Sequence, residues 1–298
     1  MDKKQSALIR IIAWSVVAVV LVGVLVLGLT GNLGSGIGGF SLFGINLGSH
    51  YADAGKYQAG SGEIPAQKIQ DLEINWLDGN VEIEVYDGDT VQFSETSSRK
   101  LSEKNQMHYY NKNGKLIIQY QKSFTGLFNF INTGRDKELT VKIPESIAGD
   151  FGEVRVDTVS ADTVVSGISG GKFRFDSTSG GIHLEECSAS ELVTDTTSGS
   201  VTADGSYGEV EFDTVSGNLN LSSEICPSRI NADGVSGSVT LYLPENEGFT
   251  YKSDSVSGTL TCEFQVSQGE DKGTYKNGKA KFSFDSVSGD VEIKKLSE

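Results

Sequence analysis

The chain is poor in the residues that catalysis and metal binding use most. Histidine occurs three times in 298 residues, as His50, His108 and His183. No two of them share a helix or neighbouring repeat units, so a zinc set is not expected. Cysteine also occurs three times, as Cys187, Cys226 and Cys262, an odd number that argues against a disulfide scaffold. All three are expected to be reduced and structural. Proline is scarce, with 4 copies, and runs of helix-favouring Leu and Ala are few. Basic residues are the minority charge, with 25 Lys and Arg against 40 Asp and Glu, and the net charge is −15. Asp2, Lys3, Lys4 and Arg10 sum to +2, so residues 11–298 carry −17. Such a surface repels nucleic acid and anionic lipid, and neither is an expected partner. It suits solubility, cation contact or a basic partner, and a solvated acidic face is the plainest reading.

What is present points to short strands and tight turns: 36 Gly, with many Thr, Val and Ser. One long apolar run stands apart. Ile11 to Leu29 holds no charge. As a helix it spans roughly 28 Å, close to the ~30 Å hydrocarbon core. Lys3, Lys4 and Arg10 precede it, and the next basic residue is Lys56. The expectation is an uncleaved transmembrane helix over 11–30, a cytoplasmic N-terminus over 1–10 and the rest outside, at the cell membrane. A cleaved signal peptide is the rival, but the run is too long and Gly28-Leu29-Thr30-Gly31 offers no small-residue cleavage site. No Cys follows the run, which excludes a lipoprotein. Residues 31–62 read as a Gly-rich linker. Gly34-x-Gly36-x-x-Gly39 matches a dinucleotide fingerprint but follows an apolar helix rather than a strand, so it carries no cofactor expectation.

From Val154 onward the chain repeats itself. Asp-x-x-Ser-Gly, or a close variant, begins at Asp157, Asp176, Asp195, Asp213, Asp233, Asp254 and Asp285, with spacings of 19, 19, 18, 20, 21 and 31. A near-fixed period is the signature of stacked coils. Period-two alternation leads into each motif, as in Phe173/Phe175 and Val210/Phe212. It resumes six and eight residues after the Asp, as in Ile182/Leu184 and Leu219/Leu221. Each unit is therefore strand, corner, strand. At the corner, Asp is expected to close an Asx-type turn, Ser to support it, and Gly to take a left-handed backbone. Two architectures fit: a β-solenoid with parallel strands ~4.8 Å apart, and an antiparallel meander. In-register identity favours the solenoid, because only stacking sets like beside like. The predicted fold is thus all-β, a β-solenoid or β-helix-like repeat of short strands preceded by one transmembrane α-helix.

Residues 63–150 read as an irregular β opening, continuous with the repeat over 151–298. Leu116–Tyr120 and Leu139–Ile143 read as strands, Ser97–Asn113 as a polar loop, and Gly269–Lys279 as a surface insertion. The N-terminal strands are expected to cap one end of the stack and the tail Lys294–Glu298 the other.

The anchor, the opening Trp76-x-Asp78-Gly79-x-Val81-x-Ile83, the strand Leu139–Pro144 and the serial Asp-x-x-Ser-Gly units to Val291 together resemble the putative-adhesin domain family of unknown function, common in Gram-positive bacteria. The resemblance covers roughly Ile64 to Leu296. It implies an extracytoplasmic role at the cell envelope, because related proteins occur beside envelope-stress regulators. It brings no catalytic residues. Ala161 replaces the motif Gly in the first unit, where an irregular coil is expected.

Candidate chemistry is thin. Gly167-x-Ser169-x-Gly171 matches a hydrolase elbow but lacks the strand–elbow–helix context. Stacked carboxylates repel unless hydrogen-bonded or bridged, so Asp176, Asp195, Asp213, Asp233 and Asp254 are the cation candidates, with turn capping as their alternative role. The chain is expected to be non-catalytic and cofactor-free, binding or scaffolding at the envelope, with an envelope protein or polysaccharide as partner. A surface adhesin is the alternative, and a carbohydrate-active β-helix enzyme a further one.

Overall fold

The computed structural model describes residues 41–42, 45–46, 53–122, 137–269 and 272–297. The expected anchor over 11–30, His50 and the Gly34–Gly39 motif lie outside them. Among the described residues no helix is long and apolar enough to cross a membrane.

The domain is a single curled sheet of 22 strands. Successive coils stack in parallel on two facing sides. On one side the strands leading into the corners align: Val154 beside Phe173, Phe173 beside Leu192, Leu192 beside Val210, and Val210 beside Ile230. On the other side the strands leaving the corners align, with Ile182 beside Val201 and Leu219 beside Val239. Inward-facing Phe173, Phe175, Phe212, Leu184 and Leu221 are buried between the two sides. Each such side chain contributes about 1.5–3 kcal/mol by leaving water. The parallel solenoid is therefore the architecture, and the meander is excluded for the repeat. The Ala161 coil is regular, because Asp162–Ser166 pairs in register with strands on both sides.

The opening segment belongs to the stack more fully than expected. Asp71–Trp76 and Asn80–Tyr86 form a regular coil, with Asn75 beside Asp157 and Val81 beside Thr163. Asn75-Trp-Leu-Asp-Gly79 is thus a variant copy of the motif. Lys115–Gln119 and Lys137–Pro144 supply the two strands of a further coil outside it. The expected loop Ser97–Asn113 is not one throughout. His108–Lys112 is a strand, joined to Lys115–Gln119 by a tight hairpin. Asn113 (φ 54) and Gly114 (φ 93) both sit in the left-handed region that such a turn requires.

Coil order departs from chain order at both ends. The 71–86 coil lies between the 151–166 coil and the 115–144 coil that follows it in sequence. At the other end, Ala280–Ser286 pairs with Arg229–Gly234 on one edge and Phe249–Ser255 on the other. Val291–Lys295 likewise lies between Val239–Leu243 and Leu260–Cys262. The tail is therefore internal and does not cap the stack. That end is covered by part of the expected surface insertion: Lys272–Thr274 runs antiparallel on Thr250–Lys252 and on Ser267–Gly269. Phe264 and Tyr275 are buried against Phe249 there.

Candidate functional site

The aspartates form one continuous row. In spatial order it runs Asn75, Asp157, Asp176, Asp195, Asp213, Asp233, Asp285 and Asp254. Of the five cation candidates, Asp176, Asp195, Asp213 and Asp233 are consecutive. Asp254 is separated from them by Asp285.

The corner chemistry differs from expectation. After Asp157, Asp176, Asp195, Asp213 and Asp233 the N–H groups two and three residues on turn to the neighbouring coil instead of closing on the Asp, and after Asp254 and Asp285 the third does so. Thr178 and Ser179 donate to the carbonyls of Thr158 and Val159, and Thr197 and Ser198 to those of Ser177 and Thr178. Where the turn is capped from within, the residue after the Asp does it: the N–H of Gly217 donates to Thr214 Oγ1 at 2.7 Å, and that of Gly258 to Ser255 Oγ at 2.8 Å. The motif Ser reaches across coils. Ser179, Ser198, Ser216 and Ser236 each donate their hydroxyl to a carbonyl of the adjacent coil at 3.2–3.4 Å. The motif Gly is set by contact more than by backbone angle. A Cβ on Gly199 would stand 2.1 Å from the Gly180 carbonyl oxygen, and one on Gly237 1.8 Å from that of Gly217. Of the motif glycines in the seven Asp units, only Gly289 has a positive φ, of 145°.

Arginines pair with the Asp carboxylates at one end of the row. Arg155 lies 3.0 Å from Asp157 and 3.2 Å from Asp176. Arg174 lies 3.1 Å from Asp176 and 2.5 Å from Asp195. Both arginines stand two residues before an Asp, on the same outward face of the strand. Further along the row that position is held by Val193, Glu211, Asn231 and Ser283, and then, before Asp254, by Lys252. The electrostatics follow. Burial raises the carboxyl pKa of Asp157 and Asp176, with the arginines opposing. Asp213 has no arginine: burial, then Asp195, Asp233 and Glu211, push it up to about 7. Among the described residues no group of three or more His, Cys, Asp or Glu is arranged to hold a metal ion.

No catalytic constellation assembles among the described residues. His108 is buried, with Nδ1 2.9 Å from the Gln106 carbonyl, and burial lowers its pKa. His183 faces solvent on another part of the stack. Ser169 opens the strand Ser169–Ser177, so no elbow-to-helix geometry surrounds it. It sits in a shallow open groove of about 720 Å³ with Ser188, Ser206, Ser228, Ile225 and Cys226, whose lining holds no His, Lys or Arg. All three cysteines are free. Burial raises each thiol, that of Cys226 to about 11, so none is poised as a nucleophile.

One buried ionic cluster was not foreseen. Lys137 is fully buried, with Nζ 2.5 Å from Glu95 and 2.5 Å from the Tyr120 carbonyl, and 4.1 Å from the centre of the Tyr120 ring. Trp76 Nε1 donates to the Lys137 carbonyl at 3.3 Å, and the Tyr120 hydroxyl donates to Asp78. Trp76 and Tyr120 meet edge to face at 4.9 Å. This cluster ties the first motif corner to the outermost N-terminal coil. It reads as structural, because its members are bonded and ion-paired to one another within the fold.

The sequence profile of the Toastrack DUF4097 family matches residues 69–294. No curated protein matches the chain. Among solved structures it is similar to a putative cell adhesion protein from Clostridium sporogenes ATCC 15579, at 14% identity and a TM-score of 0.33, over 80% of this chain and 100% of that one. It is also similar to a putative adhesin from Bacteroides fragilis NCTC 9343, at 14% identity and a TM-score of 0.45, over 79% of this chain and 96% of that one. The family resemblance carried by the Asp-x-x-Ser-Gly units is thereby borne out. With the match spanning nearly the whole parallel stack, the chain belongs to the Toastrack DUF4097 family.

Proposed function

We propose that this protein is a non-catalytic binding scaffold, held at the cell membrane by residues 11–30 and presenting its β-stack outside the cell. The observation that carries the reading is how the motif is used. The Ser hydroxyls hold coil to coil, the Gly residues let the backbones close up, and Arg155 and Arg174 neutralise their aspartates. These uses support reading the motif as the means by which the column is built. Its outward surfaces, the acidic part of the Asp row and the hydroxyl-lined groove at Ser188, are what remains for recognising an envelope protein or polysaccharide. The charge before residue 11 and the apolar run after it support an inward N-terminus.

Two measurements test this. A tag after residue 298 should be cut by protease added to intact cells; protection until lysis would defeat the topology. Mild crosslinking in cells should yield partners that are lost when residues 63–298 are removed; an unchanged set would defeat the binding role.

A further inference from the structure

We propose that the last coil, residues 280–295, can be exchanged between two copies of this chain, each filling the other's slot. The slot is visible in the pairings. Asn231 and Lys252 do not pair, because Ser283 of the last coil stands between them, and Phe284 stands likewise between Ala232 and Ser253. The coil carrying Phe249–Ser255 and Leu260–Cys262 has no ladder partner among the described residues other than the last coil and the capping hairpin. Withdrawal of residues 280–295 therefore opens one continuous cleft through both sides of the sheet. Only a strand–corner–strand unit with the same register fits that cleft. A second copy offers an identical one, and Asp285 would stand between Asp233 and Asp254 as it does in one chain.

The connection is built like a loaded hinge. Tyr275 to Lys279 is a tight turn between Lys272–Thr274 and Ala280–Ser286. Lys276 holds φ at 44° and Gly278 at 65°. A positive φ strains a non-glycine residue, and extending the turn releases that strain. Strained, short hinges beside a self-complementary element favour exchange in trans. The closed turn is held by Glu245, which lies 2.6 Å from Lys276 Nζ and accepts from the Tyr275 hydroxyl. The structure thus contains the cleft, an element of matching register and a strained hinge between them.

The test uses two full-length variants, Asn231→Cys and Ser283→Cys, carrying different tags and co-expressed, then purified in detergent. These positions are register partners on adjacent parallel strands. In an unexchanged chain neither new thiol meets the other. Exchange sets one copy's position 231 against the other's 283. The expected result is a disulfide-linked heterodimer containing the 231–283 peptide link, absent when either variant is expressed alone. Adding Lys276→Gly to both should lower its yield several-fold by relaxing the hinge. The double variant Asn231→Cys/Ser283→Cys should form the same link within one chain, which checks the geometry. Two folded variants that never form the intermolecular link, while the double variant forms the internal one, overturn the proposal. If the single variants fold poorly, two differently tagged unmodified chains decide it. Co-purification that survives dilution but is lost after melting and dilute refolding supports exchange, and failure to co-purify overturns it.

Discussion

Asp213 is a raised carboxyl in the row with no arginine to oppose its neighbours, and Asp213→Asn measures the load they place on it. Its carboxyl is partly buried, lies beside Asp195 and Asp233 and near Glu211, and has no arginine. These neighbours and burial lift it from the ordinary 3.8 to about 7. A rise of about three units is ~4 kcal/mol at 1.36 kcal/mol per unit, before screening. Partial exposure reduces that to ~1–2 kcal/mol. The sign follows from proton linkage. The folded state binds the proton more tightly than the unfolded chain, so this contribution is fully present below pH 3.8. It is lost progressively until pH passes about 7. An amide keeps the shape and never ionises. Thermal melting of both proteins at pH 4 and pH 8.5 is the assay. The variant should be more stable at pH 8.5 by ~1–2 kcal/mol, a rise of ~3–6 °C for a domain of this size. At pH 4 the two should melt together. A variant that melts lower at pH 8.5, or gains equally at both pH values, would falsify the account of the row as mutually repelling.

Other perturbations test the corners and the N-terminal end. Gly217→Ala places a Cβ 2.1 Å from the Gly199 carbonyl oxygen and should cost ~3 kcal/mol or more in chemical denaturation, whereas Gly149→Ala, with nothing within 4 Å, should change stability by less than ~0.5 kcal/mol. Ser198→Ala and Ser236→Ala each remove one exposed coil-to-coil hydrogen bond and should cost ~0.5–1 kcal/mol apiece, adding nearly independently in the double variant because the sites are two coils apart. Lys137→Met leaves Glu95 buried without its cation and should cost ~3–5 kcal/mol, with Glu95→Gln in the same chain recovering part of it by urea denaturation.

Much of this fold was legible because stacking rewards repetition in the residues themselves. A ladder sets like beside like, so Phe173, Leu192, Val210 and Ile230 announce their alignment through spacing alone. The first motif copy escaped because its corner carries Asn75 and Asp78 where later copies carry Asp and Ser. Its Gly79 and the following Val81 and Ile83 were the available signal. Asn113-Gly114 was a hairpin signal of the same kind, hidden in a stretch whose polarity suggested a loop. The roles of the corner residues were less accessible. Asp, Ser and Gly are the usual makers of a turn, and a sequence cannot say whether their partners lie in the same turn or in the next coil. In a stack the next coil is about as close as the turn itself, and its carbonyls are already aimed at the corner N–H groups. The inter-coil bonds therefore win, and the Asp is left to the arginines. The Lys137 cluster gave no sequence signal, since Trp76, Glu95, Tyr120 and Lys137 are brought together only by tertiary pairing.

Coil order is the deeper case, because repetition makes alternatives nearly equivalent. Asp254 stacked directly on Asp233 would satisfy the same ladder as Asp285 does. What separates the orders is what must cover the open end. Phe249 is the aromatic start of the Asp254 coil, and its ring packs against Phe264, Tyr275 and Phe282 at 4.9–5.4 Å. Phe264 and Tyr275 flank the capping hairpin, so the coil that meets them has to be the outermost one. The last coil carries no such cover and is followed by the end of the domain. Placed outermost it would leave the outer edge of each of its strands to water; placed inside, each edge is paired. The same arrangement recurs at the other end, where the 71–86 coil is enclosed by 115–144. Strands at chain ends fray first when one edge is open. Setting the 71–86 and 280–295 coils one layer inward pairs both edges of their strands, and the spacing of 31 between Asp254 and Asp285 holds the capping hairpin Ser267–Thr274 that covers the outermost coil.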